Sequence, residues 1–334
     1  MRLLKALIPV VLFFSCSNEN TGPDVSNIKV DFKLERLEES FFNIDTNSID
    51  KSLTSLNNRF PTFFPFYMQQ VLRLPPTPES YPILKQILAG YAPIHDSIEK
   101  KYSSLNWLKD ELETGFKHVK YYYPSYKIPN VITFIGTFDA PGVVLTPQHL
   151  GIGLHQYAGK NFSVYRDQQI QEMYPEYISR RFDKEYIAAN SLKAIADDIY
   201  PDSSAGRSLI EQMIEKGKQW YLLDHFLPNT ADSVKTGYTQ KQLNWVKENE
   251  GNIWGFFTAN TDIYTIDPAI IQDYIGEGPF TRGMPEGFAP GNIGQWVGWQ
   301  IVKQFSGKNS KFSLQQVLAT DAKTIFQGSK YKPK

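Results

Sequence analysis

The chain has a single cysteine, Cys16, so no intrachain disulfide can form and the fold must rest on its apolar core. It has no excess of either charge: 35 basic residues balance 35 acidic ones. That removes the electrostatic footprint of a nucleic-acid binder, and no run of Lys or Arg marks an anionic lipid surface. Beyond the N-terminal leader no apolar stretch approaches the roughly 18 residues of a membrane-spanning helix. There is no HExxH, which removes the usual zinc-peptidase pair of histidines and its general base. There is no GxSxG nucleophile elbow and no Walker-type phosphate loop. Cysteine catalysis has no residue left once Cys16 is acylated.

What is present begins with that cysteine. Residues 1–15, MRLLKALIPVVLFFS, place Arg2 and Lys5 ahead of an apolar stretch, with the small Ser15 directly before Cys16. This is the layout of a bacterial lipoprotein signal peptide. Phe13 stands where leucine is usual, and an ordinary secretory signal with a chance cysteine is the competing reading. Cleavage before Cys16 and acylation of its thiol and new amino group would hold the protein on a membrane. Each buried methylene contributes about 0.8 kcal/mol, so several acyl chains make a stable anchor. Residues 16–27 then read as the lipidated cysteine and a flexible polar tether. Residues 28–334 read as one globular domain, with an α+β half to about residue 200 and a helical half after it.

Within that domain, Ile28–Leu37 alternates apolar and polar and predicts a strand. Helices are predicted over Asp50–Arg59, Tyr81–Ser103 and Leu105–Tyr123, the last stopped by Pro124. Asn130–Phe138, Gly142–Leu145 and Gly151–His155 predict three short strands. Helical patterns follow at Lys184–Tyr200, Ser204–Phe226, Thr239–Phe257, Pro268–Ile275, Asn292–Phe305 and Leu314–Gln327. A glycine- and proline-rich loop spans 276–291. Early strands and late helices predict an α+β fold, mainly α-helical, with a small β-sheet on one side.

On Lys184–Tyr200, Asn190, Ala194 and Asp197 fall opposite the apolar face. On the next helix Leu209, Ile210, Met213, Ile214, Trp220 and Tyr221 form a buried stripe. Gly217 lies inside that stripe, where a missing side chain lets another helix approach. Glu211 and Glu215 lie on the other side. A strand group, a helix and a second helix with a central Glu is the order found in HExxH…E zinc peptidases. Here Asn190-Ser191-Leu192-Lys193-Ala194 stands where HExxH would be, and only Glu215 could match the third ligand. The expectation is therefore a degenerate zinc-peptidase-like architecture with no catalytic residues, no metal and no cofactor. Asn190, Asp197, Glu211 and Glu215 become candidates for an interaction cleft.

The histidines are scattered. His149 and His155 could share a sheet face, although Gly151 and Gly153 leave that register open. His225, after Asp224, meets a helix C-terminal dipole. His95 and His118 sit in separate helices. A metal-dependent, peptidase-like hydrolase with an unconventional site, using Glu215, His155 or His225, is the alternative to a non-enzymatic protein. A glycan module using Tyr121–Tyr123 or Trp296 is a third reading.

The run Ala289–Phe305 (APGNIGQWVGWQIVKQF) carries Gly294 and Gly298 one turn apart, flanked by Trp296 and Trp299, a spacing that lets a helix face sit tightly on a neighbour. Together with LGIGLHQYAG at 150–159, GKQWYLLDHFLP at 217–228, the 237–254 segment and SKYKP at 329–333, it resembles the gliding-motility lipoprotein family GldB of Bacteroidetes. The resemblance covers the chain from Cys16 onward. Two positions depart from it: His155 stands where an acidic residue is expected and Asn292 where a basic one is common. The resemblance implies an envelope lipoprotein needed for gliding, without known enzymatic activity. It implies partners in the gliding apparatus and its type IX secretion machinery, a lipid-anchored contact with the membrane, and distant similarity to predicted zinc proteases. The outer membrane, on its periplasmic face, is the favoured location.

Overall fold

A computed structural model describes residues 22–334; the signal peptide, Cys16 and the first part of the tether lie outside them. The sheet has four strands, β1 (Leu34–Arg36), β2 (Asn130–Phe134), β3 (Val143–Leu145) and β4 (His149–Gly153), in the order β1-β2-β4-β3. β1 and β4 run parallel to β2, and β3 closes an antiparallel hairpin onto β4. Helices of eight or more residues are α1 (Ile49–Arg59), α2 (Tyr81–Lys101), α3 (Asn106–Tyr122), α4 (Ile187–Ile199) and α5 (Leu209–Phe226). They continue as α6 (Gln240–Glu248), α7 (Glu250–Asn260), α8 (Pro268–Ile275), α9 (Ile293–Lys308) and α10 (Ala322–Ser329). The expected mainly helical α+β class is what the chain adopts.

Alternation along the strands divides two cores. Val131 of β2 and Leu150 and Ile152 of β4 face a core shared with α3 and α4. Ile132 and Phe134 face the opposite core, built from Leu37, Phe41 and α1 through Val71. Gly151 and Gly153 lie on this second face. A Cβ at Gly151 would stand 2.8 Å from the Phe63 ring, so the absent side chains are what let aromatic rings lie flat on the sheet. The register that the two glycines left open is continuous from Asn130↔His149 to Phe134↔Gly153.

A third core lies in the C-terminal half, between α5, α7 and α9. Helix α5 joins the halves. Its Leu209, Ile210, Met213 and Ile214 belong to the C-terminal core, and its Leu222, Leu223 and Phe226 belong to the sheet core. Of its 18 residues, 13 are buried, so it is a central helix rather than an amphipathic surface one.

Several boundaries differ from the sequence reading, each for a local reason. Only Leu34–Arg36 of the expected first strand pairs, and the chain turns helical at Leu37. Helix α5 starts at Leu209 because Ser208 and Glu211 form a capping box. The pattern over Thr239–Phe257 breaks at Asn249, whose side-chain amide donates to the Trp245 carbonyl. The last pattern breaks at Thr320–Asp321, where the Asp321 carboxylate caps α10.

Candidate functional site

The four residues expected to line a cleft are placed in four different environments. The Asn190 side chain, near the start of α4, donates to the Tyr157 hydroxyl at 3.0 Å. Asp197 is exposed on the same helix. Glu211 accepts from the Ser208 backbone at the start of α5. Glu215 is buried, and it is occupied. Its Oε1 pairs with Lys218 Nζ at 2.9 Å and its Oε2 accepts from Tyr200 at 2.6 Å. Lys218 Nζ also donates to Tyr200 at 3.1 Å and to the Thr320 carbonyl at 2.7 Å. Burial depresses the Lys218 pKa, with Glu215 opposing the shift. Glu215 is thus part of an internal strut between α5, the end of α4 and the C-terminal helices.

The histidines are equally committed. His155 is fully buried behind the sheet. Its Nδ1 accepts from the Gly136 backbone N–H at 3.1 Å. Nε2 must then carry the proton, and it points to the Ala140 carbonyl at 3.3 Å. Both ring nitrogens hold the 136–140 loop. Desolvation lowers its pKa to about 4. The unfolded chain therefore takes up a proton near pH 6.5 that the folded one refuses until about pH 4, and this contribution to stability is lost as pH falls through that window. Urea unfolding at pH 7.5 and 4.5 should show wild type losing about 2–3 kcal/mol that His155→Gln does not lose. Equal slopes in both proteins would remove His155 as the cause.

His149 lies near Thr62, and His118 donates to its own helix backbone at Thr114. His95 stacks on Phe42. Among the described residues no three His, Cys, Asp or Glu side chains come together as a metal site. Trp296 is buried, so it offers no surface for a glycan; of the three tyrosines at 121–123 only Tyr121 is exposed.

One cavity gathers residues that sequence reasoning separated. It has a volume of about 380 Å³ and opens between the ends of α3, α5 and α9. Tyr122, Tyr221, His225, Lys303 and Ser306 line it, with Gly22 and Pro23 at its rim. The His225 ring packs edge-on against Tyr221 and Tyr122, at 4.5 and 5.1 Å between centroids. Its Nδ1 lies 2.8 Å from the Tyr221 carbonyl, which can only accept, so Nδ1 carries the proton and Nε2 keeps a lone pair. Burial lowers its pKa, favouring the neutral ring. The Tyr221 and Ser306 hydroxyls meet at 2.6 Å. Asp224 also lines the cavity, held by Lys235, which pairs with Asp232 as well, and by the Trp299 indole N–H at 2.7 Å. Lys303 Nζ stands 4.1 Å above the Trp299 ring, and it makes no ion pair among the described residues. The i, i+4 spacing of Tyr221 and His225 was readable in the sequence; Lys303 and Ser306, some 80 residues later, were not.

Comparison with protein-family models returns one described as "Gliding motility protein GldB", matching residues 18–333. No curated protein and no solved structure gave a match. Nothing in these comparisons relates the chain to zinc peptidases.

Proposed function

Because this chain belongs to the gliding motility protein GldB family, we propose that it acts in gliding as a lipid-anchored, non-catalytic interaction protein of the cell envelope. Cys16 would hold it on the outer membrane, facing the periplasm. Its partners would be components of the gliding apparatus and the associated secretion machinery. The observation that supports a scaffold role is the state of Glu215, the residue best placed for a peptidase ligand: Lys218 and Tyr200 already occupy its carboxylate. Satisfied in this way, it contributes to the body of the protein rather than to an open site. The expected cleft between α4 and α5 is replaced in this reading by the surface around the tether.

The test is complementation of a gliding-deficient deletion strain. Cys16→Ser should be exported and folded but should leave cells unable to spread, while wild type restores spreading. Normal gliding with the Cys16→Ser chain would overturn the anchored-component reading. His155→Gln should support gliding wherever it folds; loss of gliding in the folded variant would point back to chemistry at that histidine.

A further inference from the structure

We propose that the cavity at the ends of α3, α5 and α9 receives the phosphoethanolamine headgroup of a bilayer lipid. This rests on the anchored reading above. The first argument is reach. Gly22 and Pro23 form the rim of the cavity. A Cβ on Gly22 would stand 2.7 Å from the Pro228 ring and 3.3 Å from His118, so the chain enters the body against this surface. Six residue steps separate Gly22 from Cys16. Fully extended they span about 20 Å. An acylated Cys16 therefore holds the rim of this cavity within about that distance of the lipid surface.

The second argument is chemistry. Asp224 also lines the cavity, held by Lys235, which it shares with Asp232, and by the Trp299 N–H; Lys303 is the lining cation. A phosphate diester meets Lys303, with one further donor from the Tyr221–Ser306 hydroxyl pair, whose other O–H is spent within the pair. His225 is neutral and offers a lone pair at Nε2, which repels an anion but accepts from an ammonium N–H. The faces of Tyr122 and Tyr221 beside it favour a cation. A site with one cation, one carboxylate, one neutral acceptor and two aromatic rings matches a zwitterion carrying N–H donors. It matches a bare phosphate less well, and a quaternary choline lacks the N–H that His225 Nε2 would accept. Tyrosine and lysine are also the side chains that settle at a membrane–water boundary.

The experiment uses the full acylated chain in phosphate-free detergent micelles. Glycerophosphoethanolamine, glycerophosphocholine and inorganic phosphate are titrated separately, reading ³¹P chemical shift and tryptophan fluorescence, because Trp299 lies directly under Lys303. Saturable binding of glycerophosphoethanolamine is expected, weaker by about tenfold in Lys303→Gln, the loss of one charge-assisted contact. His225→Phe keeps the ring stack and should erase the preference for ethanolamine over choline. Saturation by inorganic phosphate with equal affinity would show an anion site and overturn the headgroup assignment, as would absence of saturable binding by any of the three. Near-ultraviolet circular dichroism of both variants verifies the fold. Failure here leaves the Cys16→Ser gliding test untouched, so the two readings fall separately.

Discussion

Gly298→Ala should be among the most damaging single-methyl additions the protein can receive. A Cβ at Gly298 would stand 1.7 Å from the Met213 carbonyl oxygen, and one at Gly217 would stand 2.2 Å from the Gly298 carbonyl carbon. Both obstacles are backbone, so no rotamer change relieves them. Helices α5 and α9 would have to separate, and the C-terminal core around Met213, Trp296 and Val297 would open with them. Overpacking a core typically costs 1–3 kcal/mol, and with backbone on both sides we expect about 3 kcal/mol or more. For a chain of this size that lowers the melting temperature on the order of 5 °C or more. Gly90→Ala and Gly255→Ala are the controls. Both glycines are helical and a Cβ at either meets nothing within 4 Å. Replacing them should stabilise by about 0.5–1 kcal/mol. Calorimetry on the three variants decides the matter: a Gly298→Ala protein that melts with its controls would mean that α5 and α9 do not cross here.

Lys218→Met is expected to be as costly for a different reason. The Lys218 and Glu215 side chains are 2 % and 6 % exposed and share a short ion pair. Removing the cation leaves a carboxylate in the interior with Tyr200 as its remaining close donor and Arg207 at 3.8 Å. Breaking one partner of a buried pair costs about 3–5 kcal/mol. Replacing both, Glu215→Leu with Lys218→Met, should cost less than Lys218→Met alone, because no buried charge is left. The recovery is partial: Thr320 loses the Lys218 donor, and Tyr200 keeps only the Leu318 carbonyl as a partner. A double-mutant cycle in urea measures this, and additive single-site effects would refute the strut. Hydrogen exchange should show the damage first in residues 314–329, because the Lys218 bond to Thr320 holds the junction of the last two helices against α5.

These two predictions mark where sequence reading succeeds and where it stops. Gly217, Gly294 and Gly298 announce close helix packing because a glycine inside an apolar stripe has few other uses. Sequence could not say that Gly217 and Gly298 are each other's partners, 81 positions apart. Glu215 read as a candidate ligand and cleft residue because a helical wheel assumes one open face. Helix α5 has none worth the name, since a core packs against each of its ends and the C-terminal helices cover the side that carries Glu215 and Lys218. His155 read as a possible metal ligand because period-two alternation places it with His149. The chain leaves the strand at Gly153, and Leu154–Gln156 is a single helical turn that points the ring inward.

By itself the sequence determined what depends on local chemistry and on order along the chain. That includes the lipoprotein-type layout of the leader and Cys16, the helix and strand periods, the α+β class and the family. Tertiary structure alone decided what depends on residues far apart in number. It turned Glu215 from a candidate ligand into half of an ion pair, and it brought Lys303 and Ser306 to Tyr221 and His225. It also set that cavity against the point where the tether enters. Periodicity reports which face of an element is apolar; only packing determines what that face, and the opposite one, finally meet.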